Sequence, residues 1–350
     1  MGTLLDLRRL EARGVLRNSV DTQNLRRSEL GLTDLANRNT SRLMGSINQN
    51  MITNNWGAPA KRIPVRNKGG GTATTGTMTC TFPVADSDND FVNVTFFSAH
   101  AGFRIIPRLI EQTNGMVSVA EEWAFLFEQT ERDIADLVEA QIYTVLNAAK
   151  ATTSNSTFVG AGLKYPLVGD ALQVAAADQS QFYNFLKSIY KADDFGSTGL
   201  QVIGDAQMSA FVEQYINQGA QNSVNSEYSF RGIDFSYSND IVTTSATSAI
   251  STAFAMAPGS LGMLAQVSPD AKAGRTSKSK GIEWGTVRSN LMGVDMELMM
   301  SDDCNDLTSI TANALDTNGY AEYWQMGVNV AIVTPYDAST NSSIKKIDFL

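Results

Sequence analysis

Histidine is almost missing from this chain. His100 is the only one among 350 residues, so a Ser–His–acid triad or a histidine-rich metal site has at most one member available. No Gly-x-Ser-x-Gly nucleophile elbow occurs. The adjacent acids Glu121–Glu122, Asp193–Asp194 and Asp302–Asp303 diverge along any helix or strand that carries them, so adjacency alone makes no catalytic pair. A carboxylate pair brought together only in space, as in a carboxylate-dependent hydrolase, is the catalytic class that the sequence leaves open. Cysteine is scarce as well. Cys80 and Cys304 are too few for a disulfide framework and read as reduced thiols of a protein made in a cytoplasm. Apolar runs fall short of a membrane span, and no apolar h-region follows the first charges, so neither membrane insertion nor secretion is expected. Met1-Gly2 invites N-myristoylation, but Asp6 stands where that motif needs Ser or Thr.

Ligand loops fail in equally specific ways. "KGGGTATTGTMT", residues 68–79, spaces Gly71 and Gly76 as a phosphate-binding loop would, yet Thr77 and Met78 follow where Lys and Ser or Thr are required. Thr77, Thr79 and Thr81 then alternate with Met78, Cys80 and Phe82, which is the period of a strand. Asp86, Asp88 and Asp90 imitate the opening of a calcium loop, but Phe91 and Phe97 occupy its obligatory Gly and Glu positions. No G-x-G-x-x-G dinucleotide fingerprint is present. The sequence therefore predicts no enzyme, no catalytic residue, no cofactor-binding residue and no metal ligand.

Charge is abundant but unevenly placed. Residues 1–68 hold twelve Lys and Arg against five acids, a net of +7, so the overall –9 leaves –16 on the other 282 residues. Such a basic segment wants an acidic partner, either nucleic acid or the acidic body of another copy. Its leucines come in short, Asn- and Arg-interrupted stretches that read as small amphipathic helices needing something to pack on. A two-stranded excursion follows, with Ile63 to Arg66 as one limb and Asn67 to Gly76 as a Gly- and Thr-rich tip that cannot build a core.

Residues 118–150 form the clearest element. Ser118 and Glu121 make a capping box. Trp123, Phe127, Thr130, Ile134, Leu137, Val138, Ile142, Val145 and Ala149 recur at steps of three and four. At ~1.5 Å per residue this is a rod of about 50 Å. Its other face carries Glu121, Glu122, Glu128, Glu131, Asp133, Asp136 and Glu139, a surface on which the basic arm of a neighbour is expected to dock. Beyond residue 165 the texture becomes α/β. "FYNFLKSIY" sets Phe182, Phe185, Leu186 and Ile189 on one helical face, and "GLQVIGD" reads as a buried strand entering a helix capped by Asp205. Strand-like alternation returns in "VDMELMM" and "VNVAIVT".

The order of these parts, with "GFRIIPRL" before the long helix and "YAEYWQMGVNVAIVTP" near the end, resembles the tailed-bacteriophage major capsid protein family. Its fold is shared with encapsulin shells and the herpesvirus capsid floor. The resemblance implies an α+β capsid fold. The N-terminal arm would be 1–54, the extended β-hairpin loop 55–85, and the peripheral domain 86–165 with its spine helix at 118–150. An inserted α/β axial domain would occupy 166–283, and 284–350 would return to the peripheral domain as strands and C-terminus. It further implies self-assembly through pentamers and hexamers into an icosahedral head in the virion, built in a bacterial cytoplasm. Scaffold, portal and decoration proteins and non-specifically contacted double-stranded DNA would be the partners, with no membrane. An encapsulin-like nanocompartment is the alternative within the same fold.

Overall fold

The computed structural model describes residues 30–43, 49, 53, 61–66, 89–106, 118–219, 229–230, 232–243, 249–277, 281–301, 321–334 and 342–350. The first 29 residues of the expected arm, the Gly-rich tip at 67–76, Asp86, Asp88, both cysteines and Asp302–Asp303 lie outside the described residues.

The long helix, α2 (Val119–Ala148), starts where its capping box puts it: Glu121 N donates to Ser118 Oγ at 3.1 Å and Ser118 N donates to Glu121 Oε2 at 2.8 Å. Trp123, Phe127, Thr130, Ile134, Val138, Ile142 and Leu146 are buried along one line. Leu137 is 52% exposed instead, because one residue turns the helix by about 100° and takes it off the line through Ile134 and Val138. Each large apolar side chain buried in this way contributes about 1.5–3 kcal/mol relative to exposure.

The helix packs on β3 (Phe97–Ile105) and β14 (Glu322–Val333). Trp123 meets Trp324 edge-on with centroids 5.3 Å apart and stacks on Phe127 at 4.8 Å. β14 pairs antiparallel with β3, β13 (Asp295–Ser301) and β10 (Gly262–Gln266). β12 (Ile282–Arg288) and the short β11 (Thr276–Ser277) extend the sheet beyond β13. In the register Gly285↔Leu298↔Met326↔Ala101, side chains point toward α2, whereas Trp284↔Met299↔Gln325↔Gly102 lies on the opposite face. That period-two separation is what gives one sheet a packed and an open side.

The second sheet is mixed, in the order β4 (Leu167–Val168), β5 (Ala171–Val174), β15 (Ile344–Phe349), β9 (Ser251–Met256), β6 (Leu200–Gly204), β8 (Ile233–Tyr237) and β7 (Ser229–Phe230). Helices α3 (Gln179–Ala192) and α4 (Ala206–Gly219) accompany it. Phe182, Leu186 and Ile189 of α3 are fully buried in its core, as their spacing predicts. Asp205 caps α4 by accepting from Met208 N at 3.0 Å. A one-turn helix, α5 (Pro269–Lys272), links β10 to β11.

Sheet membership departs from the expected boundaries in two places. The chain has already left the mixed sheet at β10, before residue 283. The last strand, β15, does not stay with the antiparallel sheet. It lies inside the mixed one, parallel to β5 and antiparallel to β9, with all six residues buried. Lys345, Lys346 and Asp348 make "IKKIDF" look like a charged surface strand. Lys345 is neutralised by Asp193, and Asp348 accepts from Thr252 Oγ1 at 2.9 Å. Partners distant in sequence let a charged strand be central.

Candidate assembly surfaces

The expected extended loop has a structured base. β1 (Lys61–Arg66) and β2 (Asn89–Val94) pair antiparallel from Lys61↔Val94 to Arg66↔Asn89, a two-stranded sheet separate from the two larger ones. Pro64 in β1 lacks an N–H and suits a strand that, among the described residues, pairs on one side only. The base is nailed down by Lys61, which is 7% exposed, lies 4.5 Å from the Phe96 ring centroid and bonds Gln266 Oε1. Burial, and then the nearby Lys272 charge, push the Lys61 pKa down. Val94 packs beside it with Leu264, Ala331 and Val333. The β1–β2 pair is thus anchored to the body at its Lys61–Val94 end.

The arm behaves differently from expectation where it is described. α1 (Gly31–Leu43) docks into the main core of its own chain, with Leu32, Leu35 and Ala36 buried there. Its N-terminal N–H groups have no partner within the helix, and the spine helix supplies one. Glu139 accepts from Leu32 N and Thr33 N at 2.8 Å each and from Thr33 Oγ1 at 2.6 Å. Ser238 Oγ, after β8, donates to the same carboxylate at 2.6 Å. Further along α1, Asn37 donates to Met292 O at 2.7 Å. Asn39 exchanges amide hydrogen bonds with Gln201 of β6 at 2.6 and 3.2 Å, and Thr40 Oγ1 accepts from Met263 N of β10 at 2.9 Å. One short helix thus ties the antiparallel sheet, the spine helix and the mixed sheet together. Gly31 is required at its start, since a Cβ there would stand 2.0 Å from Tyr237 O.

These contacts correct the reading of the acidic face. Glu131 and Glu139 are buried. Glu131 accepts from Ser289 Oγ at 2.6 Å and Asn290 N at 3.0 Å in the turn between β12 and β13. Two of the seven acids therefore serve the subunit's own interior and are withdrawn from any docking surface. Burial raises the Glu139 pKa, against the pull of its four uncharged donors. Nothing in the local sequence distinguishes Glu131 and Glu139 from Asp133 and Glu128, because their donors lie 99 or more residues away. Glu128 instead pairs with Arg132 at 2.6 Å on the helix surface, and Asp133 and Glu121 stay exposed.

Two cavities accompany these elements. One, of about 480 Å³, lies at the foot of α1 between Leu30, Asp34, Val212, Phe235 and Leu291. The other, of about 270 Å³, lies on the open face of the antiparallel sheet beside His100, Trp284, Glu297 and Gln325. Glu297 there already accepts from Ser268 N at 2.5 Å. Among the described residues, no three His, Cys, Asp or Glu side chains are grouped to hold a metal ion. Asp193 and Asp194 part company as neighbours do: the first is buried, the second exposed in left-handed backbone with φ 63°.

No protein-family model matches the chain, and no curated protein matches it in sequence. Solved structures do. The chain is similar to one from the cyanophage A-1(L) capsid asymmetric unit over 94% of its own length and 95% of the other, with TM-score 0.53 and 11% identity. The chain has the tailed-phage capsid fold. A structure from Mycobacterium phage Adephagia is similar over 97% of both chains, with TM-score 0.52 and 10% identity. One from Microbacterium phage Oxtober96 covers 97% of this chain and 98% of its own, with TM-score 0.51 and 10% identity. The likeness thus covers most of the chain and is not confined to one sheet. At this identity, side-chain chemistry such as the Glu139 and Asp193 clusters has to be read from this chain itself.

Proposed function

We propose that this chain is the major shell subunit of a tailed double-stranded DNA bacteriophage, closing in many copies into an icosahedral head. The observation that carries the reading is likeness to a structure from a cyanophage capsid asymmetric unit over 94% and 95% of the two chains. The strand pair β1–β2 supports it: it is anchored on the body through Lys61 and Phe96, and the sequence between its strands is too rich in Gly and Thr to build a core. In this reading α2 with the antiparallel sheet makes the peripheral domain, the mixed sheet makes the axial domain, and the hairpin is the extended loop. The partners are other copies in pentamers and hexamers, with scaffold, portal, decoration proteins and packaged DNA around them. The subunit's work is mechanical and uses no catalytic residue. Its place is the virion, reached by assembly in the host cytoplasm.

Heterologous contacts that curve and close are what a shell requires of one chain, and a reaching loop adds area beyond the ~1,600 Å² of a standard interface. Expression with the scaffold encoded beside it, followed by light scattering and electron microscopy, tests the proposal. Hollow icosahedral particles are expected. A 37.9 kDa monomer that persists under every assembly condition overturns it. Particles that enclose an enzyme instead of DNA redirect it to the nanocompartment alternative.

A further inference from the structure

Lys345 of β15 and Asp193 at the end of α3 meet deep in the mixed-sheet core. Nζ lies 2.6 Å from Asp193 Oδ2, with side-chain exposures of 2% and 0%. The rings of Tyr190 and Phe195 stand 5.8 and 5.9 Å from the ammonium. The carboxylate is held from its other side as well. Asn155 N–H donates to Oδ1 at 2.5 Å and Ser154 Oγ donates to Oδ2 at 2.8 Å. The nitrogen and the carboxyl group are therefore shielded from solvent against aromatic rings, with two polarising donors reaching the carboxyl from a segment nearer the surface.

We propose that Lys345 and Asp193 join in an intrachain isopeptide bond. Nζ attacks Asp193 Cγ, and the Nζ–Cγ bond forms as the Cγ–Oδ2 bond breaks. Oδ2 leaves as water, carrying two protons that both come from the Lys345 ammonium. An ammonium and a carboxylate thus become one neutral amide and one water, with no further reactant. Asn155 N–H sits where negative charge grows on Oδ1, the role of an oxyanion donor. Ser154 Oγ, beside Oδ2, relays a proton to the leaving oxygen. Positioning removes the entropic part of the barrier. Burial pushes the Lys345 pKa down, partly offset by Asp193, which eases access to the nucleophilic amine. Two buried ions carry a desolvation penalty that their mutual attraction repays only in part, and an amide carries none of it. Exclusion of water opposes the reverse hydrolysis. The bond would clamp β15 to the end of α3, and the inference rests on this chain's own geometry, independently of the shell reading.

Intact mass spectrometry of the denatured full-length protein, followed by peptide mapping, tests it. The expected result is a chain one water lighter than its sequence, with a branched peptide joining residues 193 and 345. A chain at its sequence mass overturns the proposal. So does a water loss without the branched peptide, because cyclisation of an aspartate to a succinimide gives the same mass. Asp193→Asn should reach the identical linked mass by expelling ammonia in place of water. Lys345→Met should remain at its sequence mass, and a water loss in that variant also overturns the proposal. The wild-type measurement stands by itself should either variant fail to fold.

Discussion

Two buried carboxylates in this chain are neutralised by opposite means. Glu139, at the junction of α1, α2 and the end of β8, is met only by uncharged donors, two backbone N–H groups and two hydroxyls. Asp193, in the mixed-sheet core, is met by a lysine at 2.6 Å. The difference shows in how each site responds to loss of a partner. A carboxylate held by several neutral dipoles loses a fraction of its stabilisation when one is removed. A carboxylate whose donors include a cation, as Asp193 has Lys345 beside Ser154 Oγ and Asn155 N–H, loses far more when the cation goes, because an unpaired buried charge is costlier than an unpaired dipole. The junction is therefore a place where the fold can tolerate adjustment, and the core pair is not.

The largest effect is expected where the comparison is sharpest. Lys345→Met removes the partner of Asp193, whether paired or covalently linked, and leaves a buried carboxyl group without it; unfolding free energy should fall by about 3–5 kcal/mol, read from urea denaturation. A loss under about 1 kcal/mol breaks the contrast, because the core pair would then matter no more than an exposed one.

Glu139→Gln should have a smaller effect. The glutamine keeps the size and one acceptor but turns an amide NH2 toward donors that need acceptors, at about 1–3 kcal/mol. The same change should free the start of α1, so amide exchange at Leu32 and Thr33 should speed up before global unfolding. Unchanged protection at those two amides would show that packing of Leu32, Leu35 and Ala36 holds α1 without the carboxylate.

The pH dependence of that deficit sharpens the contrast further. The Glu139 pKa is raised in the folded chain by burial, so the folded state binds more protons than the unfolded one between the two pKa values. Stability then falls as pH rises through that interval. The contribution from Glu139 is fully present below the ordinary carboxylate range and is lost as pH climbs through the raised folded value. Glu139→Gln does not titrate at this position. Its deficit relative to wild type should therefore be widest in acid and narrow toward neutral pH. Urea melts of both proteins across the acid range check the sign, and a deficit that widens toward neutral pH would mean that the hydrogen bonds outweigh burial.

The smallest effect belongs to the outer face of the spine helix. Leu137 is 52% exposed, and Leu137→Gln should change the subunit's own stability by no more than about 0.5 kcal/mol. A larger loss would mean that the side chain has a partner within the subunit. In the shell reading the same variant is informative a second way, since an assembly defect with unchanged subunit stability marks the position as an interface.

Much of the long helix was legible because its signals are local. Ser118 and Glu121 are three residues apart, and the apolar line repeats every three or four. The error at Leu137 arose where two adjacent residues both fit that repeat and the neighbours decided between them. The α3 stripe and the Asp205 cap were legible for the same reason. The seat of Lys61 was not legible, because the Phe96 ring and Gln266 that bury it become neighbours only in the fold. For the arm, the leucines correctly asked for a packing partner, but charge alone suggested a neighbouring copy. The described part found its partner inside the chain, through backbone N–H groups that carry no signature in a charge count.

By itself the sequence determined the α2 rod, the alternating strands on either side of it, and the lack of histidine and of complete ligand motifs. Each follows from side-chain period or residue type within a few positions. Only the tertiary structure decided that α1 is the tie between two sheets, that Glu131 and Glu139 face inward, and that the charged β15 lies in the middle of a sheet. The physical reason is the same in all three. Burying a polar or charged group is permitted only when a partner meets it. For Glu139 and Lys345 the partners lie 99 or more residues away along the chain, so folding alone brings the two halves of each site together.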